Sequence, residues 1–127
     1  MIVGVGTDVV EIDWFRALGW RKKEFLNQIF SGNELVHAPE GSAEDTFYAT
    51  LFAVKEALLK ALGCGLELGS LWLNIEVSKD WKLHLAGILG VLANEKSVTK
   101  IHVSQSHSEK SAVAFVLLET TNQEDRP

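Results

Sequence analysis

The feature that most constrains this fold is an apolar run at residues 112–118, Ala-Val-Ala-Phe-Val-Leu-Leu. Because neighbouring residues of a strand face opposite sides of a sheet, this run predicts a central strand that is buried on both faces. Residues 101–106 precede it across a polar turn at 108–110, which predicts an antiparallel hairpin. Further strands are predicted at residues 2–5, 71–77 and 82–85.

A long helix is predicted over residues 43–62. Its apolar residues form one stripe that faces the core: Phe47, Leu51, Val54, Leu58 and Leu62. Ser42, with Asp45 three residues later, is typical of a helix start, and Gly63 of a helix end. Shorter helices are predicted within residues 9–30 and at 88–93. Because the helices lie mainly in the first half and the strands in the second, the fold class is α+β.

Composition narrows the classes of function. The 127 residues predict one domain at residues 1–119 with a frayed polar tail at 120–127. The formal net charge of −5 argues against nucleic-acid binding. No stretch approaches the roughly 20 apolar residues that cross a bilayer, and the N-terminus does not resemble a signal peptide. A single cysteine, Cys64, fits a reducing compartment, so we expect a cytoplasmic protein with no membrane partner.

Asp8 is the first candidate for chemistry. It follows Gly4 and Gly6, which let the backbone turn closely, and we predict that the first strand ends at residues 6–8. The functional interpretation is a carboxylate presented at the end of a strand. The structural alternative is a turn or helix-cap residue, which is the more common role of an aspartate at such a place.

Glu56 and Lys60 lie four residues apart on the predicted long helix and are therefore neighbours on its surface. Glu before Lys is the favourable order for an ordinary ion pair, which is the more common meaning of this spacing. The functional alternative is a helix packed against a phosphate site. There, Glu56 would hold a magnesium ion and Lys60 would contact phosphate oxygens.

Residues 102–108 carry hydroxyls and two imidazoles beside the predicted turn. Strand alternation places Ser104 and Ser106 on one face with His102, and His107 at the strand end or in the turn. Such groups can bind anions or transfer protons, whereas the structural alternative is a solvated hairpin turn. A zinc site is disfavoured, because Cys64 is the only thiol and no histidine pair has metal-ligand spacing.

Together and in this order, these segments resemble the holo-acyl-carrier-protein synthase family, the small 4′-phosphopantetheinyl transferases. The resemblance rests on residues 6–12 (Gly-Thr-Asp-Val-Val-Glu-Ile), 52–57 (Phe-Ala-Val-Lys-Glu-Ala), 60–63 (Lys-Ala-Leu-Gly) and 103–107 (Val-Ser-Gln-Ser-His). It spans nearly the whole chain. It implies that family's fold, a mainly antiparallel sheet packed by a long helix and shorter helices.

The resemblance also implies a reaction and its parts. The family transfers 4′-phosphopantetheine from coenzyme A to a serine of an apo acyl carrier protein, with Mg²⁺, and releases adenosine 3′,5′-bisphosphate. Asp8 and Glu56 match the metal-binding carboxylates, and Lys60 and His107 complete the implied catalytic set. Glu56 or a metal-bound water is the candidate general base. The implied coenzyme A contacts are Lys60, Gly63, Gly65, Ser104, Ser106 and His107.

Partners follow from the same resemblance. Short members of the family are typically homotrimers that bind coenzyme A between adjacent subunits. A basic helix near the N-terminus docks the acidic carrier protein, which fits charge complementarity. The basic residues available here for that role are Arg16, Arg21, Lys22 and Lys23.

The chain departs from the family pattern at three places. Leu51 stands where an arginine is usual, Asp13 and Trp14 stand where a basic residue often follows the Glu-Ile pair, and residues 80–82 replace a Gly-Lys-Pro turn. The alternative function is therefore a catalytically impaired paralogue that binds a carrier protein or coenzyme A without turnover. A domain that merely docks another subunit through tryptophans and basic residues is the least favoured interpretation.

Overall fold

The computed structural model describes residues 1–64 and 71–121, with only the backbone of Trp20. The α+β class with a mainly antiparallel sheet is confirmed. In chain order the elements of these ranges are β1 (Ile2–Glu11), α1 (Ile12–Arg16), a 3-10 helix (Gly19–Arg21), α2 (Lys22–Ile29), α3 (Gly32–Val36), α4 (Ala43–Ala61), a second 3-10 helix (Leu71–Asn74), β2 (Ile75–Val77), β3 (Leu83–Leu85), α5 (Gly87–Glu95), β4 (Lys100–His107) and β5 (Ser111–Glu119).

Strand β5 is the centre of a three-stranded sheet in the order β1-β5-β4, and both pairs are antiparallel. The predicted central strand and its hairpin with β4 are therefore confirmed. The prediction that β5 is buried on both faces is wrong for the single chain. Helix α4 covers the inner face of β5, whereas Val113 and Phe115 on the outer face are each 38% exposed. Strands β2 and β3 form a separate antiparallel pair.

Strand β1 extends beyond the predicted end at residues 6–8 and pairs with β5 as far as Glu11. The two glycines that suggested a turn serve close packing instead. A Cβ atom on Gly4 would lie 2.0 Å from the carbonyl oxygen of Ala61, and one on Gly6 would lie 1.9 Å from that of Ala57. The strand therefore meets helix α4 backbone to backbone.

We expect Gly6→Ala to lower the free energy of unfolding by about 1–3 kcal/mol, because the added methyl group would overlap a helical carbonyl that cannot move alone. Urea unfolding followed by circular dichroism measures this loss. Gly32→Ala is the matched control, since a Cβ there meets nothing within 4 Å. It should be neutral or stabilise the chain by up to about 1 kcal/mol. Equal effects of the two changes would contradict this account of β1.

Two details of the helical predictions differ from the structure. Ser42 precedes α4 in a helical conformation (φ −67°, ψ −20°), and its side chain makes no capping hydrogen bond. An N-cap hydroxyl normally needs an extended residue to reach the first turn, which explains why the sequence signal failed. The predicted strand at 71–77 is a strand only at Ile75–Val77. Residues Leu71–Asn74 form a 3-10 helix instead. Within it, the carbonyl of Trp72 accepts a hydrogen bond from the side chain of Lys55.

The two ends of the described chain meet beside the sheet. The amino group of Met1 donates to the carbonyl of Thr120 at 2.9 Å, and Thr120 N donates back to Met1 at 2.9 Å. Thr121 N donates to Thr99 Oγ1 at 2.8 Å. The first two residues of the predicted tail are thus tied to the fold, and residues 122–127 lie outside the described residues. Within the described ranges, no helix has the length and apolar character that a membrane crossing requires.

Candidate active site

Asp8 and Glu56 face one cavity of about 440 Å³. Alternation along β1 places Asp8 on the same inner face as Gly4 and Gly6, so its side chain lies beside α4. Glu56 comes from the middle of α4 and is only 6% exposed. The close approach of strand and helix therefore brings the two carboxylates to one site. The aromatic wall of this cavity is formed by Trp14, Phe25, Phe52 and Trp72.

Lys60 lies one helical turn after Glu56 and reaches across to β1. Its Nζ donates to Asp8 Oδ1 and to the carbonyl of Thr7, both at 3.0 Å. The ordinary ion pair along the helix surface is therefore replaced by one between helix and strand. The Lys60 side chain remains 53% exposed, so water screens the pair and the ammonium stays available to an anion at the mouth of the cavity.

The carboxylate of Glu56 accepts a hydrogen bond from the indole nitrogen of Trp72. Trp72 Nε1 lies 2.7 Å from Glu56 Oε1. A carboxylate this deeply buried needs a hydrogen-bond donor to offset its lost hydration. The second 3-10 helix supplies that donor, which the strand prediction for residues 71–77 did not anticipate.

The donor set fits magnesium better than zinc. Among residues 1–64 and 71–121, no group of three or more His, Cys, Asp or Glu side chains could enclose a metal ion. Structural zinc needs such a closed set. Mg²⁺ is usually bound through one or two carboxylates together with substrate phosphates and water, and Asp8 and Glu56 lining one cavity match that requirement.

A buried ion pair behind the site was missed by the sequence interpretation. Lys55 is fully buried, and its Nζ donates to Glu34 Oε1 at 2.7 Å, to the carbonyl of Ile29 at 2.7 Å and to that of Trp72 at 3.1 Å. Burial lowers the pKa of the Lys55 ammonium below its ordinary value, while the Glu34 carboxylate acts in the opposite direction. This pair joins α2, α3 and the second 3-10 helix to α4.

Glu34 is held from several sides. Its Oε1 also accepts from Ser31 N at 2.8 Å, and its Oε2 accepts from Val77 N at 2.7 Å. Ser31 caps α3 in return, because its hydroxyl accepts from Glu34 N. Two sequence signals could have revealed this cluster: the Ser-x-x-Glu capping-box spacing, and a lysine at position 55 on the apolar stripe of α4.

His107 lies at a second site. It lines a cavity of about 310 Å³ together with Thr46 and Thr50 from the first half of α4 and with Trp81. Trp81 belongs to the segment that departs from the family's usual turn, and it has a positive φ of 64°. This cavity therefore combines hydroxyls and an imidazole with an aromatic ring.

One chain does not bring His107 to the two carboxylates. Asp8 in β1 pairs with Ala114 in β5, and Ala114 pairs with Gln105 in β4. Strands β1 and β4 are therefore separated by a whole strand, a distance of about 10 Å. His107 lies two residues beyond Gln105, in a cavity different from that of Glu56.

The hydroxyls of β4 lie on the outer face of the sheet. Ser104 and Ser106 share that exposed face with His102, as strand alternation predicted. His102 Nε2 lies 3.0 Å from Glu119 Oε1 on the neighbouring strand. Gly63 adopts φ +79° at the end of α4, with open space where a Cβ would lie. Gly65, the other predicted glycine, lies outside the described residues.

Lys22 and Arg16, which are predicted carrier-binding residues, pair with acidic residues of the same chain. Lys22 Nζ pairs with Asp45 and lies 3.2 Å from Glu44. Arg16 lies 2.6 Å from Asp13 and 3.8 Å from Asp45. Each partner acid lies in α1 or in the first turn of α4. These pairs neutralise part of the local positive charge expected around residues 16–23.

Lys23, Arg21 and Leu51 lie at other places in the structure. Lys23 is exposed, and Arg21 lines a third cavity of about 360 Å³ with Trp14 and Leu18. Leu51, which stands where the family usually has arginine, is 3% exposed and belongs to the core. It does not line the cavity of Asp8 and Glu56.

Comparison with known proteins identifies the family to which this fold belongs. A family model described as the 4′-phosphopantetheinyl transferase superfamily matches residues 4–116. The holo-[acyl-carrier-protein] synthase of Clostridium novyi is 36% identical over 126 residues, which cover 96% of this chain and 91% of that relative.

Solved structures give the same result. A holo-[acyl-carrier-protein] synthase from Neisseria meningitidis matches with a TM-score of 0.78 and 29% identity, over 94% of this chain and 100% of that one. The Bacillus anthracis synthase, solved in complex with CoA (3′,5′-ADP), matches with a TM-score of 0.74 and 32% identity, over 95% and 99%. The chain belongs to the 4′-phosphopantetheinyl transferase superfamily. The resemblance inferred from the sequence is confirmed, and so is the prediction of an enzyme of this class.

Proposed function

We propose that the chain transfers 4′-phosphopantetheine from coenzyme A to a serine of an apo acyl carrier protein in a Mg²⁺-dependent reaction. The observation that carries this proposal is the shared cavity of Asp8 and Glu56, with Lys60 bonded to Asp8 at its edge. The serine oxygen forms a bond to the β-phosphorus of coenzyme A. The bond from that phosphorus to the bridging oxygen breaks, and adenosine 3′,5′-bisphosphate leaves with the bridging oxygen.

Phosphoryl transfer depends mainly on positioning and on neutralising charge. Bound by Asp8 and Glu56, Mg²⁺ supplies charge neutralisation at the pyrophosphate. Lys60 adds a mobile cation that can leave Asp8 for a phosphate oxygen. The serine proton passes to a base at the site, and Glu56 is the carboxylate we assign to that role. Gly63, at the end of the same helix, lets the backbone lie close to the nucleotide.

We also propose that the enzyme works as a homotrimer with coenzyme A between adjacent subunits. The outer sheet face supports this, because it exposes apolar side chains that a monomer would leave in water: Val5, Val9, Val113 and Phe115. Ser104 and Ser106 lie on that same face. The separation of His107 from Asp8 within one chain is the second support, since a neighbouring subunit can supply the imidazole.

Co-expression of Glu56→Gln with His107→Ala, each inactive alone, should restore about a third of wild-type activity in mixed trimers. In a ring of three whose sites take Glu56 from one subunit and His107 from the next, every trimer that contains both variants keeps both residues intact in about one site in three. The measurement is the transfer rate of the mixed preparation, purified through a different tag on each variant. A rate no higher than that of the two variants assayed separately would show that each chain carries a complete site.

Carrier recognition is proposed for the basic segment at residues 16–23. Lys23 is exposed, whereas Arg16 and Lys22 are bonded to Asp13 and Asp45. For an acidic carrier to bind there, Arg16 and Lys22 would have to leave these acids and pair with carboxylates of the carrier. Breaking the internal pairs therefore lowers the free energy gained on docking. The cytoplasmic location expected from the sequence stays a prediction.

The proposed reaction is tested by its small product. The enzyme is incubated with coenzyme A, Mg²⁺ and an apo carrier, and adenosine 3′,5′-bisphosphate is followed by chromatography. Release should occur with the native carrier, stop with a carrier whose acceptor serine is alanine, and stop with a chelator. The impaired-paralogue alternative predicts binding of coenzyme A or carrier by calorimetry without release. Leu51 lies in the core and does not line the cavity of Asp8 and Glu56, so its departure from the family pattern leaves that cavity intact.

A further inference from the structure

We propose that Trp72 is a positioning residue, whose indole N–H holds the Glu56 carboxylate in the orientation that the metal-binding site requires. The inference rests on the proposed function, because it concerns how Glu56 is presented to Mg²⁺. Neither the motifs that define the family resemblance nor the sequence interpretation assigned a role to Trp72. Its position in the second 3-10 helix is what places the indole over α4.

Both the side chain and the backbone of Trp72 are hydrogen-bonded to neighbouring residues of α4. Its indole Nε1 donates to Glu56 Oε1 at 2.7 Å, and its backbone carbonyl accepts from Lys55 Nζ at 3.1 Å. Its ring also packs against Phe52, with centroids 6.0 Å apart. Lys55 is in turn fixed by Glu34. The indole therefore has little freedom, and it transmits its fixed position to the carboxylate.

The chemistry of the indole suits this role. An indole N–H donates one hydrogen bond and accepts none, so Trp72 cannot replace Glu56 as a ligand or take up the serine proton. It occupies one lone pair of Oε1 and leaves the remaining acceptor positions of Glu56 to other partners. Partners of this kind orient metal-binding side chains, and their removal typically weakens metal affinity by about 10–100-fold.

The test compares Trp72→Phe with Trp14→Phe. Both replace an indole with a phenyl ring in the wall of the same cavity, but only Trp72 is bonded to Glu56. We expect Trp72→Phe to raise the Mg²⁺ concentration for half-maximal transfer by about 10-fold or more, with most of kcat recovered at high Mg²⁺. Whatever its effect on kcat as a change in the cavity wall, Trp14→Phe should leave that Mg²⁺ concentration unchanged. Equal Mg²⁺ dependence in the two variants would overturn the proposal.

A second readout does not use activity. In ¹⁵N-labelled enzyme, the indole signal that disappears in Trp72→Phe is that of Trp72. We expect this signal to shift upfield in ¹H and exchange faster with solvent in Glu56→Ala, and to move on titration with Mg²⁺ in the wild type. If the indole signal changed neither in Glu56→Ala nor on titration with Mg²⁺, the proposal would be overturned. Should Trp72→Phe fail to fold, through-space contacts assign the signal and the same test applies.

The two readouts also separate this inference from the proposed function. If the chain transferred no phosphopantetheine but the indole signal responded to Glu56→Ala and to Mg²⁺, the positioning role would stand and the reaction would fail. If transfer occurred and neither readout depended on Trp72, the reaction would stand and the positioning role would fail.

Discussion

Asp8→Asn and Glu56→Gln are each expected to lower kcat/KM for phosphopantetheine transfer by at least about 100-fold, because a bound metal contributes several kcal/mol of charge stabilisation. Both variants should stay folded. Asparagine keeps the shape of Asp8, and the amide oxygen of a glutamine at position 56 can still accept the hydrogen bond from Trp72. The measurement is the rate of carrier modification at saturating Mg²⁺, together with the thermal unfolding midpoint.

Glu95→Gln is the control for these two changes. Glu95 is an exposed carboxylate at the end of α5, outside the cavity of Asp8 and Glu56. Its neutralisation removes the same charge from the chain and should leave the rate within about twofold, as is usual for surface changes. Near-full activity in Asp8→Asn or in Glu56→Gln would rule out the site of two carboxylates.

Lys55→Met is expected to lower the free energy of unfolding by about 3–5 kcal/mol, because it leaves the Glu34 carboxylate buried without its cation. Methionine keeps most of the volume of the lysine stem, so the loss reports the charge and the three hydrogen bonds of Nζ. Urea unfolding followed by circular dichroism measures it.

Two further variants separate charge from packing. Adding Glu34→Gln to Lys55→Met removes the buried charge and should recover part of the lost stability. Lys82→Met changes a lysine whose side chain is 76% exposed and should alter stability by less than about 1 kcal/mol. A Lys55→Met loss no larger than that of Lys82→Met would contradict the structural role of the buried pair.

Much of the fold was predictable because its signals are local. The hairpin of β4 and β5 and the long helix α4 follow from alternation and helical periodicity within single segments. The extension of β1 to Glu11 was not predictable in that way. Gly4 and Gly6 resemble strand breakers in the sequence, and only the packing of β1 against α4 shows that they permit close contact. The uncovered outer face of β5 likewise depends on what other elements do.

The candidate site likewise has a part that the sequence predicted and a part that depends on the tertiary structure. The resemblance pointed to Asp8, Glu56 and Lys60, and the structure brings these three together. The position of Lys55 on the apolar stripe of α4 could have indicated a buried charge. Its partner Glu34 could not be predicted in the same way, because it is 21 residues away in sequence. The separation of His107 from Asp8 could not be predicted from the two sequence segments, because it depends on the order of the strands. In the sheet, β5 lies between β1 and β4.

The most direct test of the account is the intact mass of an apo acyl carrier protein after incubation with this enzyme, coenzyme A and Mg²⁺. The account predicts a gain of one phosphopantetheine group with the wild type, and no gain with Glu56→Gln or with a chelator present. Unchanged carrier mass with the wild type, across several apo carriers that a known transferase does modify, would contradict the proposed function.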